Sequence, residues 1–198
     1  MKNIFKSFLI GLVLLGSMVS CEDSTLPIDT LYNEVDTSQG IIRTLVFPAN
    51  LVALTPGPSN RKTSIDMLLE VQEGDGSSNS FIEVRVFTAL YQDQDLLLPT
   101  EDSQGNPIPE VLNRTLPASE WTPSEFNMLP SYLLEMSTQS IVDLFPDAQL
   151  TTPTFVATRL ELVMGDGTVI TNTGVGGSVA TGAYHNAPFL YKTIFLPN

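Results

Sequence analysis

The sequence predicts an all-β protein: an antiparallel β-sandwich, immunoglobulin-like, with seven or eight strands and at most one short helix. Three observations carry that expectation. Apolar residues recur with period two in several runs, clusters of Gly, Asp, Ser and Asn separate those runs, and a single stretch shows helical start and stop signals.

The first strand region covers 41–54 and is interrupted at Pro48, which has no N–H to give to a ladder. In TSIDMLLEVQ (63–72), Ile65, Met67, Leu69 and Val71 fall on one face, with Ser64, Asp66 and Glu70 on the other. The run FIEVRVFTAL (81–90) sets Ile82, Val84, Val86 and Leu90 against Glu83 and Arg85, and the turn-forming EGDGSSNS between the two runs predicts a hairpin. Shorter strands are expected at 111–116 and 131–136. A helix capped by Ser137 or Thr138 should run through Ile141 and Leu144 and stop before Pro146. In TFVATRLELVM (154–164), Val156, Leu160 and Leu162 oppose Arg159 and Glu161. Asp166-Gly167 then predicts a type I′ hairpin into TVITN, because both central positions of that turn need positive φ. A last strand covers 189–195, so 41–198 reads as one sandwich domain.

Residues 1–20 have a different character. Lys2 and Lys6 precede an apolar run, 8–19, which ends among the small residues Ser17 and Ser20. This is the pattern of an export signal, and the run is well short of the ~20 residues that a bilayer-crossing helix needs. Cys21, the only cysteine, follows Met-Val-Ser directly. The motif resembles the lipobox of bacterial lipoproteins, with Met18 where leucine is usual. The resemblance implies cleavage after Ser20, a diacylglycerol on the Cys21 sulfur and acylation of the new amine. A thiolate suits that step because it is a far better nucleophile than a serine hydroxyl. Several acyl chains would attach the chain stably to a membrane without a spanning helix. Residues 21–40, with Glu22, Asp23, Asp29, Glu34 and Asp36, read as an acidic tether. Acid immediately after the cysteine resembles the surface-export signal of Bacteroidota lipoproteins, which implies an outer-membrane protein exposed at the cell surface.

The chain carries a formal charge of −13. Lys2 and Lys6 are the only charged residues of 1–20, so removing that segment makes the remainder two units more negative. Such a field repels phosphate, and nucleic acid and anionic lipid surfaces are poor partners. With one cysteine no intramolecular disulfide can form.

Near the C-terminus, Gly176, Gly177, Ser178, Pro188, Phe189 and Tyr191 resemble the ending of a group of small, mostly uncharacterised Bacteroidota lipoproteins. Those proteins finish with a Gly-Gly-Ser stretch, a turn before proline and an aromatic-rich strand. Ala187 stands where the resemblance leads one to expect serine. Looser likeness extends to YNEVDTSQGIIRTL (32–45) and to the 160–170 hairpin. The resemblance implies a genomic neighbourhood of SusC- and SusD-type outer-membrane proteins that import glycans or peptides, and it implies no activity.

Catalytic chemistry finds little material. His185 is the only histidine, so any Ser-His-Asp arrangement or histidine-based metal site must use it; it lies in YHNAP beside Tyr184 and reads as a polar loop residue. With a single cysteine and a single histidine, structural zinc is excluded. Asp93, Asp95, Glu101 and Asp102 crowd one loop, but their spacing matches no calcium loop and they read as solvated acids. No metal or other cofactor is expected. Trp121, the only tryptophan, sits in SEWTPSEF and can serve either as a plug at one end of the sandwich or as a stacking surface for a glycan or protein. Trp121, Tyr184 and His185 are the candidate contact residues.

The reading is a non-catalytic binding or accessory lipoprotein for nutrient uptake or surface-protein assembly. The alternatives are a small hydrolase using two carboxylates, and a structural or adhesive envelope protein. An enzyme should show a cleft with two close carboxylates; a binding module should show an aromatic platform or an apolar patch. An adhesive protein should show neither and should self-associate through a sheet edge.

Overall fold

A computed structural model describes residues 40–57, 61–74, 80–151, 153–173 and 189–196, all within a compact unit, Thr37–Asn198. Among them the strands are β1 (Ile41–Val46), β2 (Leu51–Ala53), β3 (Ser64–Gln72), β4 (Phe81–Tyr91), β5 (Val111–Pro117), β6 (Thr122–Pro123), β7 (Pro130–Ser137), β8 (Thr154–Met164), β9 (Val169–Ile170) and β10 (Leu190–Leu196). One sheet has the order β1-β3-β7-β6 and the other β2-β10-β8-β4-β5, with β9 also on β8. The protein is an all-β sandwich, as its periodicity predicts.

Burial follows the alternation. Ile65, Met67, Leu69 and Val71 of β3 meet Val84, Val86, Val156, Leu160 and Leu162 of the opposite sheet in one core cluster. Across the same interior the Thr44 and Tyr191 hydroxyls share a 2.5 Å hydrogen bond. Burial there pushes the Tyr191 phenol up to about 12.

Four features differ from expectation. The 41–54 region is not one broken strand: the chain leaves the edge of the first sheet around Pro48 and joins the edge of the second as β2. There it runs parallel to β10, Leu51 to Ala53 against Ile194 to Leu196, the one parallel pairing among the described residues. Among the described residues there are ten strands rather than seven or eight, because this split and the two-residue β6 are invisible to a periodicity argument; β9 falls within the predicted TVITN strand. A register shift between Phe81 and Glu83 turns Phe81 inward and leaves Ile82 half exposed. The 165–167 hairpin is not type I′. Gly167 alone has positive φ, +88°, its N–H bonds to Met164 at 2.9 Å, and Asp166 accepts the Thr168 N–H at 2.8 Å. That is a three-residue turn closed by a left-handed glycine.

The helix, α1 (Thr138–Asp143), starts as predicted. Ser137 is its N-cap, and the Ser137 hydroxyl accepts the Ser140 N–H at 3.0 Å. Thr138 ties its start to the loops below by donating from its N–H to Thr63 at 2.9 Å and from its hydroxyl to Leu54 at 3.1 Å.

Candidate functional site

Cys21, Tyr184 and His185 lie outside the described residues. Trp121 does not form an exposed platform: it is 7% exposed, edge-on to Phe81 with ring centroids 5.4 Å apart and tilted against Tyr132 at 5.5 Å. Of its two sequence readings the plug is the one the packing realises. The short 3₁₀ turn Ala118–Glu120 lies between β5 and β6, and the ring that follows it joins the core cluster. Its Nε1–H finds no acceptor among the described residues.

The acidic loop between β4 and β5 is built from two capped turns. The Asp93 carboxylate accepts the N–H groups of Asp95 at 3.1 Å, Leu97 at 3.0 Å and Leu98 at 2.7 Å. The Asp102 carboxylate accepts the N–H groups of Gln104 at 2.8 Å and Asn106 at 2.9 Å, and the Asn106 side-chain amide at 3.0 Å. Both carboxyls are held below their ordinary range, Asp93 chiefly by the Leu98 N–H and Asp102 chiefly by the Asn106 side chain. Among the described residues no cluster of three or more Asp, Glu, His or Cys could hold a metal.

Asp102 and Asp147 do line a cleft of about 240 Å³ beside Ile108, Val111 and Phe145. Glycoside hydrolysis needs one carboxyl with a raised pKa to protonate the leaving group. Asp102 is shifted the other way, and its oxygens are engaged by its own turn. The cleft supplies no proton donor from that residue.

The two outer sheet faces contrast. On the β2-β10-β8-β4-β5 sheet, Arg85 and Arg159 are paired with neighbouring carboxylates. Arg159 donates to Glu110 at 2.6 Å and to Glu161 at 2.6 Å, and lies 4.4 Å over the Phe87 ring. These two carboxylates, Glu110 first, push the guanidinium pKa up further.

On the β1-β3-β7-β6 sheet, the register sets Val46 beside Leu68 and Leu68 beside Leu133, an apolar row across three strands on the side facing away from the core. Leu133 is 55% exposed, and Phe126, in the loop between β6 and β7, is 96% exposed. Leu45, Leu68, Pro123 and Phe126 border a groove of about 350 Å³. Under that loop lies Glu70, only 1% exposed, which pairs with Arg43 and accepts the Asn127 side-chain amide at 2.8 Å. No protein family, curated protein or solved structure matches the chain.

Sequence reasoning missed this face, although a signal was present. In Met67-Leu68-Leu69 and Tyr132-Leu133-Leu134 an apolar residue occupies the position that alternation reserves for a polar one. Those two leucines are the centre of the exposed row. A strict inside-outside reading of each strand absorbs them into the core.

Proposed function

We propose that the protein is a lipid-anchored, surface-exposed outer-membrane module that binds a partner or ligand without transforming it, as an accessory in nutrient uptake or surface-protein assembly. The observation that carries the binding reading is the apolar row and groove on one outer face. Monomeric domains rarely leave such rows open, and contiguous exposed apolar surface marks interaction sites. The hydrolase alternative is weakened by Asp102, whose carboxylate caps its own turn. The Cys21 motif and the acidic stretch after it support the anchored, surface-exposed placement. The strand order supports the immunoglobulin-like reading: β1, β3, β7 and β6 take the places of strands A, B, E and D, and β10, β8, β4 and β5 those of G, F, C and C′.

The test is a pull-down from solubilised outer membranes with the tagged full-length protein and Cys21→Ala as the unanchored control. Recovery of a porin with its lid lipoprotein makes the protein an uptake accessory. Hydrolysis of a glycan or peptide by the purified protein, abolished by a single carboxylate change, sinks the binding reading.

A further inference from the structure

We propose that the outer face of the β1-β3-β7-β6 sheet docks a protein segment that presents apolar side chains together with Lys or Arg; this rests on the binding reading and gives it a surface and a partner chemistry. The apolar half of the argument is the row Val46, Leu68, Leu133, with Phe126 standing beside it. Phe126 is not carried by a free loop. Its neighbour Asn127 is hydrogen-bonded to the buried Glu70, which is held in turn by Arg43. The neighbouring Ser124 N–H bonds to the Leu129 carbonyl at 2.9 Å. A loop already held in place loses less conformational entropy on contact, and binding is stronger for it.

The charged half lies one row along the strands. Asp66 of β3 is directly opposite Glu135 of β7, on the same outer face as Leu68 and Leu133. Like charges facing each other across strands destabilise a sheet. The offset is small: Lys62 reaches Asp66 Oδ2 at 3.1 Å, Asp66 Oδ1 is buried without a hydrogen bond, and Glu135 has no ion-pair partner among the described residues. On the other flank Glu125 lines the groove, also unpaired. Glu135 on one flank and Glu125 on the other, neither with an ion-pair partner among the described residues, therefore bracket an open apolar row. A cationic side chain over Asp66 and Glu135 would relieve the repulsion, and its neighbours would cover Leu133 and Phe126.

The same charges argue against other occupants. A second copy docking through this face would bring together two strongly negative molecules, each of formal charge −13 before removal of residues 1–20. An anionic lipid surface is repelled for the same reason.

The probes are three synthetic peptides of equal length, alternating Leu with Lys, Leu with Glu, and Ser with Lys, titrated calorimetrically into the processed, detergent-solubilised protein near physiological salt. The Leu/Lys peptide should bind, and the other two should bind at least about ten-fold more weakly. Phe126→Ser and Leu133→Ser change exposed side chains and leave the core intact. Each should weaken Leu/Lys binding about ten-fold, as should Asp66→Asn combined with Glu135→Gln, whereas Asp147→Asn at the distant cleft should not. Equal binding of the Ser/Lys peptide reduces the effect to bulk charge and overturns the proposal. So does unchanged affinity in the two serine variants, or a dimer in sedimentation that Leu133→Ser dissolves. The membrane pull-down separates this failure from that of the functional reading. If wild type and the serine variants recover the same porin, the function stands and this face is wrong. If wild type recovers nothing, the accessory role fails, and the peptide titration decides the face independently.

Discussion

Replacing Trp121 distinguishes a structural plug from a recognition platform. A fully buried aromatic side chain removes roughly 150–250 Å² from water. At about 25 cal/mol per Å², that corresponds to roughly 4–6 kcal/mol as an upper bound. Large-to-small aromatic truncations cost about 3–5 kcal/mol once cavity relaxation is included. Trp121→Ala should therefore destabilise the domain by about 3–5 kcal/mol, lowering Tm by on the order of ten degrees for a chain of this size. Trp121→Phe should cost much less, because a ring still meets Phe81 and Tyr132, and the indole N–H that lacks an acceptor disappears with the substitution. Urea unfolding followed by far-UV circular dichroism gives both values. With no second tryptophan in the chain, wild-type fluorescence reports this site alone. It should be blue-shifted and poorly quenched by acrylamide. A solvent-like emission together with a loss under ~1 kcal/mol in Trp121→Ala would refute the plug and restore an exposed stacking surface.

Other expectations concern single positions. The Tyr191 phenol, raised to about 12 from an ordinary value near 10, is stabilising while protonated; that contribution is complete below pH 10 and is lost as pH rises through 12. Chemical denaturation across that window should show a decline of about 3 kcal/mol that Tyr191→Phe flattens. Gly167→Ala has open space for its Cβ but a φ of +88°, so its cost of about 1–2 kcal/mol should be conformational alone, measured as a lower urea midpoint with unchanged slope. Ser137→Ala removes the side-chain cap of α1 and should cost about 1 kcal/mol by the same assay.

The core strands were legible because period-two patterning is a local property: β3 and β8 bury the residues that alternation assigns inward, and the Ser137 cap is written in the few residues that open the helix. What failed to be legible is relational. Nothing within 41–54 says that its two halves belong to opposite sheets, since that depends on which edges β3 and β10 leave open. Ile82 is misassigned because a bulge changes register, and Asp166-Gly167 because two turn types share that dipeptide. Trp121 admits both readings until Phe81 and Tyr132 are brought against it from distant segments. The exposed face is the sharpest case: Leu68 and Leu133 look like ordinary core leucines until cross-strand register places them side by side on the wrong side of the sheet.

The parallel pairing of β2 with β10 has a mechanical consequence. Gly40 leads into the sandwich at the end where Ile41 faces Gln72, whereas β10 finishes at the opposite end, beside Thr154. Tension applied at Gly40 and borne at Leu196 runs along the strands. The β2 and β10 ladder, with Asn50 and Leu54 bonded to Ile194 and Leu196 at 2.8 and 3.0 Å, is then loaded in shear, so its hydrogen bonds must fail together rather than one at a time. Such a load is resisted by β2 and β10 acting as a single clamp.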